Sequence, residues 1–171
     1  MNDNKYPPWG TEHFSSFQEF ETQLALGTIS DQILGEIADD DESPKEYIDL
    51  MYASYISHRA DQHLASYDKR ATDAQLIKLV ERAESKFKRQ DIIERIADRK
   101  YVSPQLALRI ISIIGPNPIH ARSVYDLVKK TQHPDVCIAV LRSGEKDELI
   151  VSLALLLLWE RAELAIISDG Q

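Results

Sequence analysis

The chain has 171 residues, 43% of them hydrophobic and 28% charged, a balance that builds a packed soluble core and excludes an intrinsically disordered chain. One cysteine, Cys137, excludes an internal disulfide and points to a reducing cytoplasm. The net charge of −8 is uneven: residues 1–50 carry 12 acids and 2 bases, a net of −10, whereas the remainder is close to neutral at +2.

In chain order, Lys5 to Glu12 with its Pro7-Pro8-Trp9-Gly10 stretch reads as extended, with no basic-then-apolar leader at Met1. Ser16 with Glu19 spells a capping box ahead of Phe17, Phe20 and Leu24, a first helix. Trp9 and Phe14 are expected to seal that end of the structure. From there a helix-start signal recurs. Ser43-Pro44, Thr72-Asp73, Ser103-Pro104 and His133-Pro134 follow one another at intervals of 29, 31 and 30 residues. Ser43 is expected to cap with Pro44 in the first helical position and Glu46 closing the box, and Thr72 pairs with Gln75 in the same way. Each signal opens an apolar stripe at helical spacing: Tyr47, Ile48, Met51, Tyr55 and Ile56, then Leu76 to Val80, then Leu106 to Ile111. Before each stands a shorter apolar-periodic segment: Ile33 to Ala38, Leu64 to Tyr67, Ile92 to Ala97 and Val124 to Val128. No stretch alternates apolar and polar residues as a half-buried strand does.

Residues 45–67 and 73–97 contain no glycine or proline, and the repeat predicts breaks near Ser57–Arg59 and Phe87–Gln90. Gly115-Pro116-Asn117-Pro118 must interrupt any helix. Leu149 to Trp159 is apolar, too short to span a bilayer, and is followed by Glu160, Arg161 and Glu163. It predicts a buried closing helix to Ile167, with Ser168 to Gln171 fraying.

A fixed period in this range marks stacked helical hairpins whose binding is done by a surface. The recurring caps, and His133-Pro134-Asp135-Val136-Cys137-Ile138-Ala139-Val140-Leu141 as a proline, aspartate and aliphatic helix, resemble the HEAT-like repeats in their short bacterial form. The likeness covers residues 31–160. It departs from the family at Cys137, where an arginine is common after the Asp-Val pair. The resemblance implies an all-α, right-handed α-solenoid of about four helical hairpins. In that arrangement residues 1–30 form an extension and capping helix, 31–145 the repeats, and 146–168 the terminal helix. A non-repetitive helical bundle is the alternative architecture.

No motif for chemistry emerges, and no cofactor or metal is expected. His58 and His63 are five apart, the wrong spacing for a zinc pair on one helix face, and His13, His120 and His133 read as surface or capping residues. Asp39, Asp40 and Asp41 lack the central glycine of a calcium loop. The bases around Lys86-Phe87-Lys88-Arg89 are interleaved with Glu81, Glu84, Asp91, Glu94 and Asp98, which disfavours a nucleic-acid surface. Cys137, in an apolar run, reads as a buried thiol.

The sequence therefore points to a non-catalytic module that binds another protein. Its partner-binding candidates are Asp39, Asp40, Asp41, Glu42, Glu46, Asp49 and an exposed Tyr52, an acidic surface for a basic partner. The most specific form of this expectation is a cytoplasmic antagonist, an immunity protein that neutralises a basic toxin or nuclease. The alternatives are a HEAT-like lyase or DNA-repair glycosylase, and a scaffold subunit that docks through Leu149 to Trp159.

Overall fold

A computed structural model describes residues 13–54 and 56–169. All regular structure among the described residues is helical, with no strand. The α-helices are α1 (Phe17–Leu26), α2 (Asp31–Asp39), α3 (Lys45–Ala53), α4 (His58–Tyr67), α5 (Asp73–Arg82), α6 (Lys86–Asp98), α7 (Pro104–Ile114), α8 (Ala121–Thr131), α9 (Pro134–Arg142) and α10 (Glu148–Asp169), with a 3₁₀ turn at Pro118–His120. Two compact units divide the chain, Met1–Leu79 and Val80–Gln171.

Short polar side chains set most of the helix starts. The hydroxyls of Ser30, Ser57, Ser85 and Ser103 accept the backbone N–H three residues on, as does Ser16 for Glu19. Thr72 and Gln75 form the reciprocal box expected, Gln75 N–H to Thr72 Oγ1 at 3.2 Å and Thr72 N–H to Gln75 Oε1 at 2.9 Å. His133 caps α9 through Nδ1, 3.3 Å from the Asp135 nitrogen. The first box is shifted by one residue, since Glu19 takes the N–H of Ser15 rather than that of Ser16.

Ser43 corrects the expectation. It does not cap α3, which begins at Lys45 behind Pro44 with no side-chain cap. Its buried hydroxyl instead donates to the Ile37 carbonyl at 2.8 Å, satisfying an acceptor at the end of α2. The two long segments do break, the first ahead of His58, so that it meets the expected Ser57–Arg59 only at Ser57, the residue that caps α4. The second break lies earlier than the repeat predicted, at Ala83–Ser85, because Ser85 is the residue able to cap α6. Gly115, at φ 58°, ends α7.

In the first unit α2 packs on α4, and α3 touches α1 and α2. Gly35 lets α4 approach, since a Cβ there would lie 3.0 Å from the His63 ring. Phe14, Phe20 and Tyr47 form an aromatic cluster, with Phe20 and Tyr47 centroids 4.4 Å apart and Phe14 edge-on to Phe20 at 5.1 Å. Phe14 is buried in this cluster, whereas Trp9 and Tyr55 lie outside the described residues. In the second unit α6 packs on α8, α8 on α10, and α7 on α9, so helices two apart in sequence are neighbours.

The core residues fall on single stripes: Ile92, Ile93 and Ile96 in α6, Leu106, Ile110 and Ile111 in α7, and Leu127 and Val128 in α8. Several polar ties link different parts of the same unit. Lys69 to Asp41, Gln75 to Asp49, Arg109 to Glu81, His120 to Gln90 and Arg161 to Gln132 join residues 26 to 30 apart.

Candidate docking surface

The largest departure from the sequence expectation is α10. Asp147 starts it, its Oδ1 accepting from the Leu149 and Ile150 nitrogens at 3.0 and 3.3 Å. The helix then runs 22 residues, a rod of about 33 Å at the helical rise. Its first half lies on α8 and α9, and one stripe is covered there, with Ile150 1% exposed and Ala154 buried. Everything from Trp159 to Ser168 is exposed.

The closing helix is thus not buried. Leu149 and Ile166 are each 72% exposed and Trp159 65%, with Leu155, Leu156, Leu164 and Ile167 more than half exposed. The reason is geometric. A helix apolar on every side presents more surface than two neighbours can cover, and α8 and α9 reach only the Ile150–Ala154 side.

The uncovered residues are ordered. Leu155, Trp159 and Ile166 follow at spacings of four and seven, and Leu149 and Leu156 at seven, with Ile167 eleven further on. These are the spacings that align residues along one side of a helix and build helix-to-helix seams. The Trp159 indole Nε1 donates to Glu163 Oε1 at 2.8 Å, one turn on. Arg161, the one base in the helix, faces the body of the second unit and donates from Nη2 to the Gln132 carbonyl at 3.1 Å. Gln132 stands at φ 46°, the left-handed residue that ends α8.

The acidic candidates are placed differently from one another. Asp41 pairs with Lys69 at 2.7 Å, and that contact holds the Lys69 ammonium above its ordinary pKa. Asp49 pairs with Lys45 one turn back and accepts from Gln75 Nε2 at 3.0 Å. Asp40 Oδ1 takes the Glu42 N–H at 2.8 Å and so shapes the loop. Asp39, Glu42 and Glu46 are exposed. Tyr52 is a correction: it is 3% exposed, and its hydroxyl donates to the buried Asp68 Oδ2 at 3.1 Å. α3 buries Tyr47, Ile48, Met51 and Tyr52 together, so the tyrosine lying off the expected stripe is drawn inward by a polar partner that the sequence does not reveal.

The bases of the central run are engaged as well. Lys88 pairs with Glu84 at 2.8 Å, and the Arg89 guanidinium donates to the Val80 and Ala83 carbonyls at the end of α5. His120 is a second correction. It stands at the N-cap position of α8 but is buried and makes no side-chain cap, its Nδ1 lying 2.6 Å from Gln90 Oε1, and burial with the nearby Arg89 cation pushes its pKa below the ordinary value. Cys137 is buried as expected, and burial raises its thiol pKa.

Among the described residues no group of three His, Cys, Asp or Glu side chains is placed to hold a metal ion, and no helix is long and apolar enough to cross a membrane. Two surface grooves lie among the described residues. One lies among Pro116, Pro118 and Gly144 to Asp147, the other among Leu24, Ile29, Asp31 and Ser57. Among the described residues neither sets a carboxylate beside an aromatic ring. Glu145 Oε1 accepts from the Lys146 and Asp147 backbone, and Asp31 accepts from the Ser57 hydroxyl. No family model, curated protein or solved structure matches the chain.

Proposed function

We propose that this chain is a non-catalytic protein-binding module that docks through the outer side of α10. The observation that carries the proposal is the ordered exposure of large apolar side chains from Leu149 to Ile167. Exposed contiguous apolar patches mark interaction sites, and each leucine or isoleucine fully buried by a partner contributes about 1.5–3 kcal/mol. Within each unit helices two apart in sequence pack together, which supports reading the chain as HEAT-like helical hairpins.

Of the roles the sequence suggested, the scaffold subunit has this specific support. The acidic antagonist is the second reading, favoured by the exposed Asp39, Glu42 and Glu46. Asp41, Asp49 and Tyr52 are engaged within the chain, so that surface is smaller than its sequence suggests.

The test compares capture of partners by the tagged chain with capture by Leu155→Asp/Ile166→Asp. Both side chains are exposed, so the melting curve by circular dichroism is expected to stay unchanged. Loss of a near-stoichiometric partner in the double variant supports α10 docking. Retention of every partner contradicts it. Loss instead on neutralising Asp39, Glu42 and Glu46 transfers the role to the acidic loop.

A further inference from the structure

The seam on α10 has a charge pattern as well as an apolar one. Glu148 stands seven residues before Leu155, Glu160 four after Leu156, and Glu163 four after Trp159, so three carboxylates border or punctuate the exposed stripe. All three residues are exposed. The helix's one cation, Arg161, is turned to the Gln132 carbonyl. The exposed side of α10 is therefore apolar and anionic, with no base of its own.

Resting on the docking reading above, we propose that the occupant is an amphipathic helix of a different protein whose apolar seam is bordered by lysine or arginine. Spacings of four and seven select a helix, because a facing helix inserts its side chains between residues so placed. The carboxylates select the flanks, because charges across a helix pair choose the partner. A second copy of this chain is the poorer occupant. Face to face, two such helices bring six carboxylates to one seam with no cation opposite, and each chain carries a net charge of −8. An anionic lipid surface is repelled by the same carboxylates, since helices that lie on such surfaces are basic on their polar side.

The test uses two synthetic 22-residue peptides with leucine at the a and d positions of each heptad, one with lysine at the e and g positions and one with glutamate. Binding of each to the full chain is read by fluorescence anisotropy. The lysine peptide is expected to bind at least about tenfold tighter than the glutamate peptide. Glu160→Gln/Glu163→Gln should narrow that gap several-fold, the glutamine at 163 keeping an oxygen for the Trp159 indole. Leu155→Asp/Ile166→Asp should abolish binding although it adds negative charge, which separates seam docking from general attraction to an acidic protein.

Equal binding of both peptides, lost in the apolar variant, overturns the charge selection and leaves α10 docking standing. Binding of the lysine peptide that survives the apolar variant overturns the seam as its site. Failure of both peptides, with self-association in sedimentation that the apolar variant removes, assigns the face to a second copy. Failure of both peptides by a monomeric chain, or binding only to vesicles containing phosphatidylglycerol, overturns the helical partner.

Discussion

α7 and α10 are both rich in leucine and isoleucine, yet they meet opposite fates. α7 places Leu106, Ala107, Ile110 and Ile111 on one buried side and Gln105, Arg109 and Ser112 on the exposed side, so its neighbours cover what is apolar. α10 buries Ile150 and Ala154 and leaves a second apolar side to solvent. One apolar stripe is accounted for by folding. A second, at helix-pairing spacings, is left uncovered by the described residues, and it is the feature on which the proposed docking rests.

The comparison is broken most directly by truncating one side chain in each helix. Ile110→Ala should open a cavity in a fully buried site and cost about 2–5 kcal/mol, lowering the urea midpoint sharply. Leu156→Ala should change stability by no more than about 0.5 kcal/mol, because more than half of this residue is already hydrated. Equal losses at the two positions would mean that the exposed side of α10 is covered in the free chain.

Two polar substitutions sharpen the same contrast between residues used in folding and residues left over. Tyr52→Phe leaves the buried Asp68 carboxylate without the tyrosine hydroxyl and is expected to cost about 1–3 kcal/mol in urea unfolding. No change would restore Tyr52 as a candidate for partner contact. Ser103→Ala removes the cap from the Leu106 N–H and should cost about 1 kcal/mol, measured as a fall in Tm.

The smallest effect is a pH slope from the second unit. The folded His120 pKa lies below its unfolded value, so folding favours the neutral ring. Its stabilising contribution is fully present above about pH 6.5 and is lost as pH falls from there through the folded pKa. His120→Gln should flatten that part of the stability profile in urea titrations across pH 5 to 8. An unaltered slope would assign it to other groups.

Much of the helical layout was legible because local chemistry fixes it. Thr72 with Gln75, Ser103 with Pro104 and Gly115 each carry their own instruction for starting or ending a helix. Where a tertiary partner competes, the local signal fails. Ser43 has the sequence of a cap but gives its hydroxyl to Ile37, six residues back. Tyr52 and His120 look like surface residues until Asp68 and Gln90 come within reach through folding.

The exposed side of α10 was half legible. The run from Leu149 to Trp159 stands out in the sequence, and its apolar character on all sides signals either deep burial or a partner. The choice between these depends on how many helices flank it, which no local pattern records. The spacings of Leu155, Trp159 and Ile166, continuing past the first acids, were the available clue.

The central claim is that the outer side of α10 is occupied by another protein when the chain is at work. The most direct measurement places a photo-crosslinking benzoylphenylalanine at Trp159 in one variant and at the exposed Gln105 of α7 in another, followed by irradiation in the cell and mass spectrometry. One heterologous adduct from position 159, absent from position 105, is the predicted result. No adduct at 159, an adduct only with a second copy of this chain, or the same mixture at both positions would contradict it.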